Sequence, residues 1–255
     1  MSGPERIAAA FANSGKRAAL MPYLMGGFPD MEASKAIGGA YADGGADLVE
    51  LGVPFSDPLA DGPVIHAAGT AALKAGATTD GVLGVCEALA SRIPVVVMCY
   101  ANLVLARDDF PVRIASAGAS GLIVPDLPLE EAPPLLEACD AAGVALVPLV
   151  APTTPDDRLR AIGERARGFL YTVSVTGTTG ERAALSDTFA STVERARSHT
   201  DVPVALGFGI ATPEHAAQAA AAGADGVIVG SRLVRAAAEG EDVRLLVEGL
   251  AGALR

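Results

Sequence analysis

The stretch "YADGGADLVELGV", Tyr41 to Val53, decides the fold. It reads as the end of a small-residue helix, then a glycine, then a short apolar run. Glycine after a helix supplies the left-handed conformation that commonly ends it. A run of Val and Leu without polar alternation is typical of a strand covered on both faces. The stretch therefore predicts a joint at which a helix leads into a buried parallel strand.

The same kind of joint recurs along the chain, in "ASAGASGLIVPD" (Ala115 to Asp126), "DAAGVALVPLV" (Asp140 to Val150) and "AAAGADGVIVGS" (Ala220 to Ser231). Further apolar runs start at Ala19, Pro94, Phe169 and Pro203, which makes eight candidate strands. Ala-rich helical segments lie between them. Two of these segments open with Thr-Pro, and we expect Thr154 and Thr212 to cap helices whose first residues are Pro155 and Pro213.

Eight strand-helix units in 255 residues match the size of an α/β fold of the (β/α)₈ or TIM-barrel class. An open, doubly wound sheet is the alternative, but no GxGxxG turn follows the first strand. No linker or shift in composition marks a second domain, so we expect residues 1–255 to form a single barrel domain. We expect the segment before Ala19 to form an extra N-terminal helix across the bottom of the barrel.

Composition and charge narrow the possible partners. The net charge is −11 and no segment concentrates Lys or Arg, which argues against a nucleic-acid partner. The cysteines Cys86, Cys99 and Cys139 are too far apart for a disulfide framework or a zinc site. No apolar run reaches membrane-spanning length, and the N-terminus lacks a signal-peptide core. We therefore expect a soluble, cytoplasmic protein with no membrane partner.

Two carboxylates stand out among the predicted strand ends, where barrel enzymes place their reacting groups. Glu50 lies between Val49 and Leu51 inside an apolar strand, where an unpaired charge is not tolerated. Burial would raise its pKa and suit it to proton transfer, although a structural, hydrogen-bonded acid is an equally open alternative. Asp61 follows in a loop bounded by Pro and Gly, where an Asx-turn is the more common use of Asp.

Glycines at three consecutive strand ends are the second signal, in "VSVTGTTGERA", "GFGIATPEHA" and "VGSRLVRAA". The last two lead into helix starts, where backbone amides and the helix dipole favour an anion. The loops after the last two strands are also the usual phosphate site of this barrel class. Ordinary turn glycines are the alternative, but the pattern favours a small phosphorylated substrate.

Absent residue types exclude other chemistries. The three lysines are Lys16, Lys35 and Lys74, and all of them lie away from the predicted strand ends. An enzyme that forms a Schiff base would therefore have no lysine nucleophile at the site. The histidines are scattered and form no metal-ligand cluster: His66, His199 and His215. We therefore expect no metal site, and proton transfer by carboxylates on a phosphate-anchored substrate remains.

The segment "ADLVELGVPFSDPLADGPVI" resembles the signature of the tryptophan synthase alpha chain family. The segments "MPYLMGGFPD", "CYANLV", "VPDLP", "YTVSVTGTTG", "GFGI" and "GVIVGS" match its other motifs in the right order, so the resemblance covers nearly the whole chain. It implies reversible retro-aldol cleavage of indole-3-glycerol phosphate to indole and glyceraldehyde 3-phosphate. Alternatives are a free-standing lyase with the same chemistry, a sugar-phosphate isomerase, and a non-catalytic regulatory subunit, which the presence of both carboxylates disfavours.

The resemblance assigns roles to individual residues. Glu50 would move protons as acid and base, Asp61 would accept a hydrogen bond from the indole N–H, and Tyr171 would position Glu50 or the substrate. The phosphate would be held by Gly180, Gly209, Gly230 and Ser231. The indole pocket would be lined by Tyr23, Ile123, Pro125 and Phe208, for which ordinary barrel core is the alternative. Thr179 would lie in a mobile loop that closes towards Asp61.

The resemblance also implies a partner. In this family the alpha chain binds no cofactor and joins a beta chain that carries pyridoxal phosphate, in an alpha2beta2 tetramer that passes indole directly to the beta chain. Asp57 and Pro58 match a family segment that responds to the partner. The sequence departs from the family pattern at His66, where Gln is expected, and at Thr178, where an apolar residue is usual.

Overall fold

A computed structural model of the chain describes residues 1–173, 182–207 and 209–255. The strands are β1 (Ala19–Met25), β2 (Val49–Gly52), β3 (Val95–Met98), β4 (Gly121–Ile123), β5 (Ala145–Val147), β6 (Leu149–Val150), β7 (Leu170–Val173), β8 (Val204–Gly207) and β9 (Gly226–Val229). All neighbouring strands are parallel, in the order β5-β4-β3-β2-β1-β9-β8-β7-β6.

The two edge strands of that order, β5 and β6, are separated along the chain by Pro148 alone. Proline has no N–H to donate to a ladder, so the strand is interrupted there. Its carbonyl still accepts the N–H of Tyr171 at 3.0 Å. Segments β5 and β6 thus act as one strand that contacts β4 on one side and β7 on the other. The nine segments form the predicted eight-stranded (β/α)₈ barrel.

The helices of the described residues surround the barrel: α1 (Gly3–Ala12), α2 (Met31–Asp43), α3 (Pro63–Lys74), α4 (Thr79–Ala90), α5 (Ala101–Leu105), α6 (Phe110–Ser116), α7 (Ala132–Ala142), α8 (Asp156–Arg165), α9 (Arg182–Arg197), α10 (Pro213–Ala221), α11 (Ser231–Glu239) and α12 (Val243–Ala253). Within the described part of the chain, no helix is both long and apolar enough to cross a membrane.

The helix-to-strand joints have the predicted backbone. One glycine in each of the four motifs has a positive φ: Gly45, Gly118, Gly143 and Gly223. The Thr-Pro prediction is correct for α10, which begins at Pro213 while the Thr212 hydroxyl accepts the His215 N–H. It is wrong for α8, which begins one residue after Pro155. There the Thr154 hydroxyl accepts the N–H of Ala151 at 2.9 Å, so it closes the preceding turn instead of capping the helix.

Alternation along β2 determines where Glu50 points. Val49 and Leu51 belong to the apolar layer between the strands and the helices, whereas Leu48, which precedes the strand, belongs to the cluster inside the barrel. Successive side chains of a strand face opposite sides, so Glu50 shares the inner face with Leu48. The carboxyl group of Glu50 therefore lies in the barrel interior, nearer its C-terminal mouth.

Helix α1 packs against the other end of the barrel, as the sequence predicted. Ile7 is fully buried in the interior cluster, and Phe11 packs against the same cluster. The ring centroids of Phe11 and Phe169 are 5.7 Å apart. The helix therefore covers the N-terminal end of the barrel and leaves the C-terminal mouth open to ligands.

Candidate active site

A cavity of about 270 Å³ opens at the C-terminal mouth of the barrel. It brings together residues that are far apart in the sequence and that the sequence analysis selected: Tyr23, Glu50, Asp61, Pro125, Tyr171, Gly209, Gly230 and Ser231. The cavity therefore joins the predicted carboxylates, two of the four predicted indole-binding residues and two of the three predicted phosphate loops.

Glu50 lies in this cavity with only 2% of its surface exposed. Burial raises the pKa of its carboxyl group from 4.5 to about 8, and the negative charge of Asp61 adds to the effect. The side chain is therefore largely protonated at neutral pH and can donate that proton. A pKa near the working pH is what a general acid and base requires.

Asp61 reaches the same cavity from the loop after β2. Its N–H donates to the Pro58 carbonyl at 3.2 Å, which forms a turn within the loop. Burial raises the pKa of the Asp61 carboxyl, while a hydrogen bond from Tyr100 and the charge of His66 act in the opposite direction. This is a backbone turn in which Asp61 is the last residue, and not an Asx-turn formed by its side chain. The Asp61 carboxyl group lies in the cavity and beside Tyr100.

Tyr100, which follows β3, anchors this loop and is a site residue that sequence reasoning missed. Its hydroxyl accepts the Ala60 N–H at 3.1 Å and hydrogen-bonds the Asp61 carboxylate. Its ring stacks on Phe55 of the same loop, with centroids 5.2 Å apart. A tyrosine at a strand end opposite a loop carboxylate is a signal that sequence alone leaves ambiguous, because the loop path is unknown.

Replacing Tyr100 with Phe is expected to lower the rate of indole formation about tenfold, since it removes two hydrogen bonds that position the Asp61 loop but keeps the stacked ring. The change also removes the hydrogen bond that lowers the pKa of Asp61, so the pKa of Asp61 should rise. The acidic limb of the pH–activity profile should therefore move to higher pH. The pH dependence of indole release measures both effects. Tyr41→Phe, at a fully buried tyrosine of α2, is the control.

Two tyrosines inside the barrel each lie over a glycine of the next strand. Tyr23 pairs in register with Glu50, and its ring leans over Gly52. Tyr171 of β7 leans over Gly207 of β8 in the same way. Burial raises the pKa of both hydroxyls, and the charge of Glu50 contributes at both. The phenols therefore stay neutral and serve to orient, not to remove protons.

Gly52→Ala is expected to displace Tyr23, because a Cβ atom there would lie 1.9 Å from its hydroxyl oxygen. The overlap should destabilise the fold by roughly 1–3 kcal/mol and reduce indole formation, since Tyr23 lies beside Glu50. Thermal unfolding and kcat/KM measure the two effects. Gly84→Ala is the matched control: it lies in α4 with no atom near its added Cβ. Equal melting temperatures and equal kcat/KM values for the two variants would contradict the proposed overlap with Tyr23.

Another part of the cavity wall is suited to an anion. Gly209 after β8 has a φ of 77°, and it lines the cavity together with Ile210 and Ala211. Gly230 precedes α11 and provides no side-chain cap, so amides of the first helical turn remain available for a ligand. Arg232 follows in the same helix and also lines the cavity, a residue that sequence reasoning missed.

The predicted indole-binding residues separate into three groups. Tyr23 and Pro125 line the cavity, whereas Ile123 is fully buried in the interior cluster beneath it. Phe208, and with it Gly180, Thr179 and Thr178, lies outside the described residues. The structure adds apolar lining residues that sequence reasoning missed: Ile65, Met98, Leu149, Ile210 and Ile228. The alternation of inward-facing strand positions is the signal that predicts the strand members of this set.

Metal ligands are not part of this arrangement. Across the described ranges, no three His, Cys, Asp or Glu side chains come together in a way that would hold a metal ion. His66 lies exposed in the first turns of α3, where its charge acts on Asp61. The cavity thus combines two carboxyl groups, apolar side chains and an uncapped helix start.

Comparisons with known proteins identify the family of the chain. Residues 10–249 match the family described as tryptophan synthase alpha chain. The tryptophan synthase alpha chain of Synechococcus elongatus is 50% identical over 222 residues, which cover 86% of this chain and 84% of that protein. The one from Methanosarcina mazei is 49% identical over 243 residues, covering 94% and 89%.

Solved structures give the same result. A chain of tryptophan synthase from M. tuberculosis in its aminoacrylate-bound form superposes with a TM-score of 0.89 at 39% identity, covering 98% of this chain and 99% of that one. A chain from the tryptophan synthase a2b2 complex of Pyrococcus furiosus superposes with a TM-score of 0.87 at 35% identity, covering 93% and 99%. The resemblance drawn from the motifs is confirmed: the chain belongs to the tryptophan synthase alpha chain family.

Proposed function

We propose that Glu50 and Asp61 carry out the reaction of this family in this chain. That reaction is the reversible cleavage of indole-3-glycerol phosphate to indole and glyceraldehyde 3-phosphate, a carbon-carbon lyase step of tryptophan biosynthesis. One observation carries the proposal. A buried carboxyl group with a pKa near 8 shares a cavity with a second carboxylate, and an uncapped helix start lines the same cavity.

The chemistry requires two proton movements and one bond cleavage. Carbon 3 of the indole ring gains a proton, the neighbouring side-chain hydroxyl loses one, and the bond between ring and side chain breaks with its electrons left on the ring. Glu50 supplies the first proton in its neutral form and accepts the second as a carboxylate, so it returns to its starting state. Glu50 alone therefore accounts for both proton transfers.

Asp61 acts by charge. Protonation at carbon 3 makes the ring nitrogen positive, and a carboxylate that accepts the indole N–H hydrogen bond stabilises that charge. Asp61 lies in a partly buried position, where such an interaction is stronger than in water. Tyr171 orients Glu50 or the substrate, since its buried phenol stays neutral.

The remaining lining residues bind the two ends of the substrate. Gly209, Gly230 and Ser231 offer amides and a hydroxyl to the phosphate, with Gly180 as the fourth proposed contact. Tyr23 and Pro125 form the apolar slot for the ring, with Ile123 beneath it and Phe208 as a further proposed wall. Thr179 is the proposed contact of a loop that closes over Asp61.

The proposed partner is a tryptophan synthase beta chain in an alpha2beta2 tetramer, to which this chain would pass indole. The relative from Pyrococcus furiosus, described as part of such a complex, supports this assembly. Pyridoxal phosphate would belong to the beta chain and would not bind here. Asp57 lies in the exposed loop that matches the family's partner-responsive segment. The proposed location is the cytoplasm.

An indole-release assay of the purified chain, with and without a beta chain, tests the function. We expect slow release of indole from indole-3-glycerol phosphate by the chain alone and a marked increase with the beta chain. High turnover without a partner would favour the free-standing lyase instead. No indole under either condition would contradict the proposal and leave a sugar-phosphate isomerase to be tested.

A further inference from the structure

The glycine amides of the cavity bring no net charge, so a cation in its wall would add attraction for a phosphate dianion. Asp61 lines the cavity as a second carboxyl group beside the largely protonated Glu50, and the whole chain carries a net charge of −11. A phosphate dianion that enters such a field is repelled unless a positive group offsets it. Arg232 is the one basic side chain among the described residues that line the cavity.

Arg232 lies at the helix start that is proposed to bind the phosphate group. It is the second residue of α11, directly after Gly230 and Ser231, which line the same end of the cavity. The first helical turn offers short-range hydrogen bonds from its amides. A guanidinium attached to that turn adds a charge that acts over a longer range.

In the structure the guanidinium is already engaged. Its two terminal nitrogens donate to the two carboxylate oxygens of Glu241 at 2.9 and 2.7 Å. Glu241 follows Gly240, the left-handed residue that ends α11. The hydrogen bond from Arg232 lowers the pKa of Glu241, so the carboxylate stays charged and offsets the arginine. The fork geometry is the same one by which arginine holds a phosphate.

We propose that Arg232 determines the preference of this site for a phosphorylated substrate, and that Glu241 competes with the phosphate for its guanidinium. The inference rests on the proposed function, because it concerns the phosphate end of the same cavity. In the structure the ion pair holds the guanidinium on Glu241. When the dianion arrives at the start of α11, attraction to Arg232 lowers the free energy of the bound state. Arg232 is thus a binding residue that takes no part in proton transfer.

The reverse reaction tests this with one charged and one neutral substrate. Arg232→Gln should raise the KM for glyceraldehyde 3-phosphate about tenfold, a size expected for one charge-assisted contact. The KM for indole and the kcat should stay within about twofold, because indole carries no charge. A merely structural role would raise both KM values together. Arg232→Lys keeps the charge and should restore most of the affinity.

Glu241→Gln provides the opposite test, since it removes the competing carboxylate and should lower the KM for glyceraldehyde 3-phosphate. Arg244→Gln is the matched control: it breaks another Arg–Glu pair, with Glu248, on α12. That variant should behave as the wild type. In the wild type the KM should rise with added salt more steeply than in Arg232→Gln.

Several results would overturn the inference: an unchanged KM for glyceraldehyde 3-phosphate in Arg232→Gln, an equal rise of both KM values, or a raised KM in Glu241→Gln. Calorimetric titration with inorganic phosphate separates this inference from the proposed function. If the wild type neither forms nor consumes indole, the proposed function fails. Weaker phosphate binding by Arg232→Gln would still support the role of Arg232, and equal binding would overturn it.

Discussion

Glu50→Gln is expected to abolish indole formation, with a loss on the order of 10²–10⁴-fold in kcat, because glutamine neither donates nor accepts the transferred proton. The amide has nearly the same shape, and the phosphate end of the cavity is built from other elements. Binding of inorganic phosphate should therefore survive. Indole release and calorimetry with phosphate measure the two properties on the same preparation.

The control for this variant is Glu87→Gln, at an exposed glutamate of α4, which should keep wild-type turnover. Turnover in Glu50→Gln equal to that of the control would refute the proton-transfer role. Loss of both turnover and phosphate binding would show that Glu50 supports the site as a whole, and would count against a purely chemical role.

The same substitution has a defined effect on stability. The pKa of Glu50 is raised from 4.5 to about 8 in the folded chain, so the folded state holds a proton that the unfolded state has released between these values. Wild-type stability should therefore fall as the pH rises from about 4.5 through about 8. Glu50→Gln lacks this titration, so its melting temperature should exceed that of the wild type at pH 8 more than at pH 5.

Asp61→Asn is expected to reduce indole formation on the order of 10²–10³-fold, because it removes the negative charge that stabilises the positive ring nitrogen. The change should also shift the pH dependence. The charge of Asp61 helps to raise the pKa of Glu50, so removal of that charge should lower the pKa of Glu50. The limb of the pH–kcat profile that reflects the titration of Glu50 should then move to lower pH. Measuring kcat for indole release against pH determines both effects.

Asp108→Asn, at an exposed position between α5 and α6, is the control for loss of a carboxylate. An unchanged kcat in Asp61→Asn would eliminate the charge-stabilisation step. A lower kcat without any shift of the Glu50 limb would contradict the electrostatic coupling between the two carboxylates and leave only the contact with the indole N–H.

Much of the fold could be predicted because its signals are local. The four helix-to-strand joints each need a glycine with positive φ, and runs of Val, Leu and Ile identify strands covered on both faces. These preferences depend on neighbouring residues only. The Thr154 cap was predicted wrongly because a threonine hydroxyl can accept an amide N–H from either side along the chain, and the local path of the chain brings the Ala151 N–H to it.

The candidate site was only partly predictable, because many of its contacts join residues that are far apart in the sequence. Glu50 was recognised as unusual because burying a carboxylate inside an apolar strand is energetically costly. Asp61 looked like a turn residue, since the sequence does not show that its loop returns over the barrel mouth. The contact with Tyr100 across 39 positions, and the cavity position of Arg232, depend on contacts between distant segments.

Sequence by itself determined the barrel class, the strand that carries Glu50 and the glycines at the strand ends, because local backbone preference and strand periodicity are properties of short segments. Only the tertiary structure decided that Glu50 and Asp61 share one cavity, that Tyr23 and Tyr171 lie over glycines, and that Arg232 is held by Glu241. The physical reason is that pKa shifts and ion pairs depend on burial and distance. Both are set when the barrel closes and brings distant strand ends together.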